Sequence, residues 1–128
     1  MSNPVVTVTN NASRDIFVDS DPNWDDQELM INGQAFTEIY TLAEGATITV
    51  SVNWESAGDS RMIGVIFANE KNYDYDKGAG FYQLTVGQDP NTGNLGITDN
   101  YTFGQPDVYY TLSDQAPWSM TMGFKDAS

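Results

Sequence analysis

The chain of 128 residues carries 18 acidic and 5 basic side chains, a formal net charge of −13, and contains neither Cys nor His. Such a surface repels phosphate backbones, because nucleic-acid affinity comes mostly from Lys and Arg neutralising phosphates, and it disfavours electrostatic docking on anionic lipid. Without Cys or His there is no disulfide framework, thiol nucleophile, thiolate zinc site or imidazole base, so an enzyme built on this chain would have to run on carboxylates, Tyr, Lys or a hard cation.

The length fits one domain, 1–128, and an apolar content of 40% argues against disorder. Along the chain, short β-type runs alternate with turn signals and no helical period emerges. Residues 4–9 (PVVTVT) are β-branched and continuous, and Asn10-Asn11-Ala12-Ser13 turns them into 15–19 (DIFVD). After a polar loop at 20–27, the runs 28–31 (ELMI) and 34–42 (QAFTEIYTL) meet across Asn32-Gly33, a hairpin signal because both positions tolerate positive φ. A period of two then puts Phe36, Glu38 and Tyr40 on one face of the second arm.

Ala43-Glu44-Gly45 turns the chain into residues 46–54, where Ile48, Val50, Val52 and Trp54 alternate with polar side chains in the manner of a half-buried strand. Residues 61–68 (RMIGVIFA) are nearly all apolar and read as a central strand. The runs at 81–86, 95–103, 108–112 and 118–124 bring the set to about nine strands, spaced as all-β sandwiches and barrels require. The expected fold is an all-β, two-sheet antiparallel β-sandwich, immunoglobulin-like or jelly-roll, with a closed barrel as the alternative. Residues 125–128 should form a loose tail.

No stretch approaches the ~20 apolar residues of a membrane-spanning helix. The opening Met1-Ser2-Asn3-Pro4 lacks the basic and apolar regions of a signal peptide, so the expected location is the cytosol, or outside it by an unconventional route. Two N-glycosylation sequons, Asn11-Ala12-Ser13 and Asn100-Tyr101-Thr102, matter only in a secretory pathway.

Two loops concentrate chemistry. In the first, Asp19, Asp21, Asn23 and Asp25 alternate, which is how a tight loop offers hard oxygens to Ca²⁺. Trp24 and Met30 stand where the helix-flanked calcium loop needs Gly and Glu, and the plain alternative is a solvated acidic turn. In the second, Asn72, Asp74 and Asp76 alternate with Tyr73 and Tyr75 ahead of Lys77-Gly78-Ala79-Gly80. Aromatic faces stack on the C–H patches of sugars while carboxylates accept hydroxyl hydrogen bonds; the plain alternative is a long hairpin loop whose tyrosines tuck onto the core. A third stretch, Gln88 to Asn94, is ordinary hairpin chemistry. Trp54 and Trp118 lie in strand-like runs and read as core, whereas Trp24, among acids, reads as exposed.

Two fragments resemble the small fungal immunomodulatory proteins of the Fve type. They are Asp21-Pro22-Asn23-Trp24 after an early strand, and Tyr75-Asp76-Lys77-Gly78-Ala79-Gly80 followed by Asp89-Pro90-Asn91-Thr92-Gly93-Asn94. That resemblance implies an immunoglobulin-like, sugar-binding, immunomodulatory protein, although this chain opens on a strand where that family has a helix. The opening Val6-Thr7-Val8-Thr9-Asn10-Asn11-Ala12-Ser13-Arg14-Asp15-Ile16 is similar to the first hairpin of aegerolysins, which implies an acidic β-sandwich that binds membrane lipid.

The functional expectation is a non-enzymatic, lectin-like binder of a glycan or glycoconjugate, assisted by Ca²⁺. Trp24, Tyr73 and Tyr75 with Asp21, Asp74 and Asp76 would hold the ligand; Asp19, Asp21, Asn23 and Asp25 would hold the metal. The alternatives are a lipid-binding or cytolytic β-sandwich and a structural, self-assembling protein. A homo-oligomer is among the expected partners. Two carboxylates acting on a glycoside remain the one enzymatic route open to this composition.

Overall fold

The computed structural model describes residues 5–20, 28–53, 62–71, 81–88, 95–103, 107–112 and 119–126. Within them lie eleven strands and no helix. They are β1 (Val5–Asn10), β2 (Ile16–Ser20), β3 (Glu28–Ile31), β4 (Gln34–Ala35), β5 (Tyr40–Leu42), β6 (Thr47–Asn53), β7 (Met62–Ala68), β8 (Phe81–Gln88), β9 (Leu95–Phe103), β10 (Val108–Leu112) and β11 (Ser119–Phe124). None of the described residues forms a helix long and apolar enough to cross a membrane.

The strands form a six-stranded sheet, in the order β10-β11-β1-β6-β3-β4, and a five-stranded sheet, in the order β5-β2-β7-β8-β9. Among the described strands both sheets end on edges and neither closes on itself, which makes the fold a two-sheet sandwich. Eight of the nine strand pairings are antiparallel. The exception is β1 with β11, which run parallel from Val5↔Ser119 to Asn10↔Phe124. The expected all-β two-sheet sandwich, antiparallel in its other pairings, holds with this one parallel pair inside it. Hydrophobic alternation fixes which face of a strand is buried and is blind to the direction of its neighbour.

Alternation does place the core. In β1, Val6 and Val8 point inward and are fully buried while Thr7 and Thr9 point out. Ile48 and Val50 of β6 and Met120 and Met122 of β11 continue that inner face. From the other sheet Ile16, Val18, Val65 and Phe67 meet it. The rings of Phe67 and Phe124 bridge the layers, 5.0 Å apart at a tilt of 54°. Each such side chain taken out of water contributes about 1.5–3 kcal/mol. On the outer surface Thr9 and Thr47 hydrogen-bond through their hydroxyls at 3.0 Å, a cross-strand pair of the kind that steadies a wet sheet face.

Strand β7 is central, as its apolar run predicts: Ile63 to Ala68 are all buried, and Ile66 with Ala68 forms a second small cluster on the outer face of the five-stranded sheet. The Asn32-Gly33 hairpin also forms as expected, with φ of 53° and 79° at its two central residues and Ile31 paired to Gln34. Two expectations are corrected. Residues 34–42 are not one strand: Gln34–Ala35 belongs to the six-stranded sheet and Tyr40–Leu42 to the five-stranded one. Nor are residues 125 and 126 loose. The Lys125 N–H donates to the Asp107 carbonyl at 2.8 Å, its ammonium lies 5.0 Å from the centre of the Tyr109 ring, and Asp126 accepts from the Ser13 N–H at 3.0 Å.

Candidate functional site

Of the residues read from the sequence as ligand or metal contacts, Asp21, Asn23, Trp24, Asp25, Tyr73, Asp74, Tyr75 and Asp76 lie outside the described residues, as do Trp54 and Trp118. Asp19 is within them. It stands on β2 opposite Ile66 of β7, half-buried, and its Oδ1 accepts the Ser20 N–H at 2.8 Å. No group of three or more acidic side chains that could hold a metal occurs among the described residues.

The cleft that can be built from described residues lies where the chain changes sheets. The tight Asn32-Gly33 turn returns the chain along β3, and Asn32 anchors it to β6 by donating its N–H to the Thr49 carbonyl at 2.9 Å and accepting the Thr49 N–H on its Oδ1 at 3.0 Å. Pairing continues as far as Phe36, whose N–H donates to the Leu29 carbonyl at 2.7 Å. The Phe36 side chain is half-buried against the main core. Holding the ring there ends the flat strand, and the chain swings through Thr37, Glu38 and Ile39 to rejoin the opposite sheet at Tyr40, paired with Val18.

That swing leaves a cleft of about 260 Å³, lined by the segment from Gln34 to Thr41 together with Ile31. Its chemistry is mixed. Ile31, Phe36 and Ile39 supply apolar wall, and Tyr40, 37% exposed, supplies an aromatic face at the rim. Gln34 brings an amide that both donates and accepts, Thr37 and Thr41 bring hydroxyls, and Glu38 brings a carboxylate. No cationic side chain is among its described lining residues, and the Glu38 carboxylate opposes an anionic ligand. The volume falls below the roughly 300–1,000 Å³ of drug-sized sites and suits one small ring.

Sequence reasoning missed this cleft because it read residues 34–42 as a continuous strand, which has no concavity. The one available signal was Glu38, a charge set between Phe36 and Tyr40 on what alternation made a single face.

A second cluster of polar and aromatic groups proves structural. Tyr109 on β10 lies across from Gly123 on β11, and a Cβ at Gly123 would collide with the Tyr109 ring. The ring therefore covers the bare backbone of a glycine, with Asn11 hydrogen-bonded to its hydroxyl and Lys125 against its face.

Compared with family models, with curated proteins and with solved structures, the chain matches none.

Proposed function

We propose that the protein is a non-enzymatic, lectin-like carbohydrate-binding sandwich that seats one sugar ring in the cleft beside the Phe36–Ile39 crossover. The observation that carries this reading is the lining itself: apolar wall and aromatic rim beside an amide, two hydroxyls and one carboxylate, with no cation. A sugar offers the matching surfaces, C–H patches for the rings and hydroxyls for the polar groups. Among the described lining residues Glu38 is the single carboxylate, which supports binding over the two-carboxylate chemistry of glycoside hydrolysis.

The alternative seat for the glycan is the set expected from the sequence, Trp24, Tyr73 and Tyr75 with Asp21, Asp74 and Asp76. Calcium, in the same proposal, is held by Asp19, Asp21, Asn23 and Asp25. Cation binding to the folded state raises the melting temperature by mass action; a melting curve unaltered by chelator removes calcium from the proposal.

A glycan array run beside protein-free liposomes tests the function. A saccharide should bind, and Tyr40→Ala should weaken it by about tenfold, or about 1.4 kcal/mol, with little change in melting temperature. A silent array with liposome binding would replace this reading with the lipid-binding alternative. Saccharide binding that survives Tyr40→Ala and Glu38→Gln but is lost in Trp24→Ala would move the site to the loops.

A further inference from the structure

An open sheet exposes unpaired backbone N–H and C=O groups along each edge, and proteins guard such edges with short strands, charges, Pro, Gly or bulges. Among the described strands four lie on edges: β4, β5, β9 and β10. β4 is two residues long and β5 three, too short to template another strand. β9 has nine residues but carries Gly96 and Asp99, and its pairing with β8 shifts register between Thr85 and Val86. β10, Val-Tyr-Tyr-Thr-Leu, has no charge, Gly or Pro, and pairs in unbroken register with β11. It is the unguarded edge among the described strands.

The ladder shows which of its groups are open. The Lys125 N–H bonds to the Asp107 carbonyl, so in the alternating antiparallel pattern residues 107, 109 and 111 face β11 with their hydrogen-bonding groups. Those of Val108, Tyr110 and Leu112 point away from it. Among the described residues β10 has no strand on that side. Tyr110 lies on the core side of the sheet, opposite Met122, yet is 45% exposed, the most exposed large apolar side chain among those described.

We propose that β10 pairs antiparallel with β10 of a second copy of this chain, about a two-fold axis at Tyr110. In that register Tyr110 faces the partner's Tyr110, and Val108 faces the partner's Leu112. All the backbone groups that point outward from β10 meet their complements, about six hydrogen bonds in all. The two six-stranded sheets become one continuous sheet with a closed, isologous interface. The strand's own composition selects the occupant. Two chains of net charge −13 repel each other over most of their surface, and β10 is the uncharged edge that, paired with itself about Tyr110, sets no like charges opposite one another. Five residues bury less than the roughly 1,200 Å² of a standard interface, so the dimer is reversible.

Sedimentation equilibrium from micromolar to millimolar protein tests it. The expected result is a monomer–dimer equilibrium that Tyr110→Lys weakens at least tenfold, by setting two ammonium groups opposite one another. Tyr110→Pro should do the same: it removes an N–H that points away from β11 and leaves the β10–β11 ladder intact. Both variants should keep the melting temperature of the dilute protein, and if the proline variant fails to fold the lysine variant decides alone. A chain that stays monomeric at millimolar concentration, including one that captures an extended peptide instead, overturns the proposal. So does a dimer that both substitutions leave equally tight.

Discussion

Three described connections carry the chain from one sheet to the other, at 11–15, 36–39 and 43–46, and they solve the same problem in opposite ways. The first and third are closed around one buried polar side chain. Asn10 is fully buried; its Nδ2 donates to the carbonyls of Arg14 at 2.7 Å and Leu42 at 3.0 Å, and its Oδ1 accepts the Ala12 N–H at 2.9 Å. Its backbone joins the third connection, donating to the Ala46 carbonyl at 3.0 Å and accepting the Gly45 N–H at 2.7 Å. The connection at 36–39 has one apolar anchor, Phe36, and leaves its polar side chains facing a cleft. A corner whose backbone is pinned to a buried side chain is a rigid joint. One with unspent polar side chains around a hollow has the means to bind.

The contrast breaks first at Asn10. Asn10→Ala leaves the Ala12 N–H and the Arg14 and Leu42 carbonyls without this partner in a buried corner, at about 1–3 kcal/mol for each group left unmade. The expected loss is about 3 kcal/mol or more, read as a lower urea midpoint at unchanged slope. A loss under about 1 kcal/mol would mean the joint is not closed by this side chain. Gly33→Ala probes the open corner. Its φ of +79° disfavours any L side chain, but nothing lies within 4 Å of the added Cβ, so the cost is the backbone term alone, about 1 kcal/mol. A much larger loss would show that the turn entering the cleft is as tightly bound as the Asn10 corner.

The smallest effect concerns acid. Asp126 is exposed, and the Ser13 N–H, then the Ser13 hydroxyl and the Arg14 charge, hold its carboxyl below the ordinary 3.8. A group depressed in the folded state contributes at pH values above its unfolded pKa and loses that contribution as pH falls through the folded pKa. The Ser13 amide resonance should therefore titrate below pH 3.8 and stop doing so in Asp126→Asn, while stability at neutral pH stays within the small range of surface substitutions. A Ser13 amide that titrates unchanged in the variant would detach the tail from the first corner.

How much of this could be read ahead of the structure differs by kind of signal. β7 was plain because six consecutive buried residues, Ile63 to Ala68, leave no polar face. The Asn32-Gly33 hairpin was plain because positive φ at two adjacent positions has a narrow residue chemistry. Asn10 read only as part of a turn. Its burial depends on Leu42 and Ala46, more than thirty residues away along the chain. The break after Ala35 was hidden because Phe36, Glu38 and Tyr40 keep a perfect period of two through a segment that is not a strand. Alternation records which side chains avoid water locally, and Phe36 does so by turning onto a core assembled from both sheets.

The sequence by itself therefore determined the class of fold, the wet and buried faces of β6, the burial of β7 and the tight turn at Asn32-Gly33, since those depend on residue type and spacing within a few positions. Only the tertiary structure decided that β1 runs beside β11 in parallel, that 34–42 divides between two sheets, that Tyr109 covers Gly123, and that β10 is left on an edge. Each of these is a choice of partner between distant segments, made by the packing of the whole core, and no local pattern of residues encodes it.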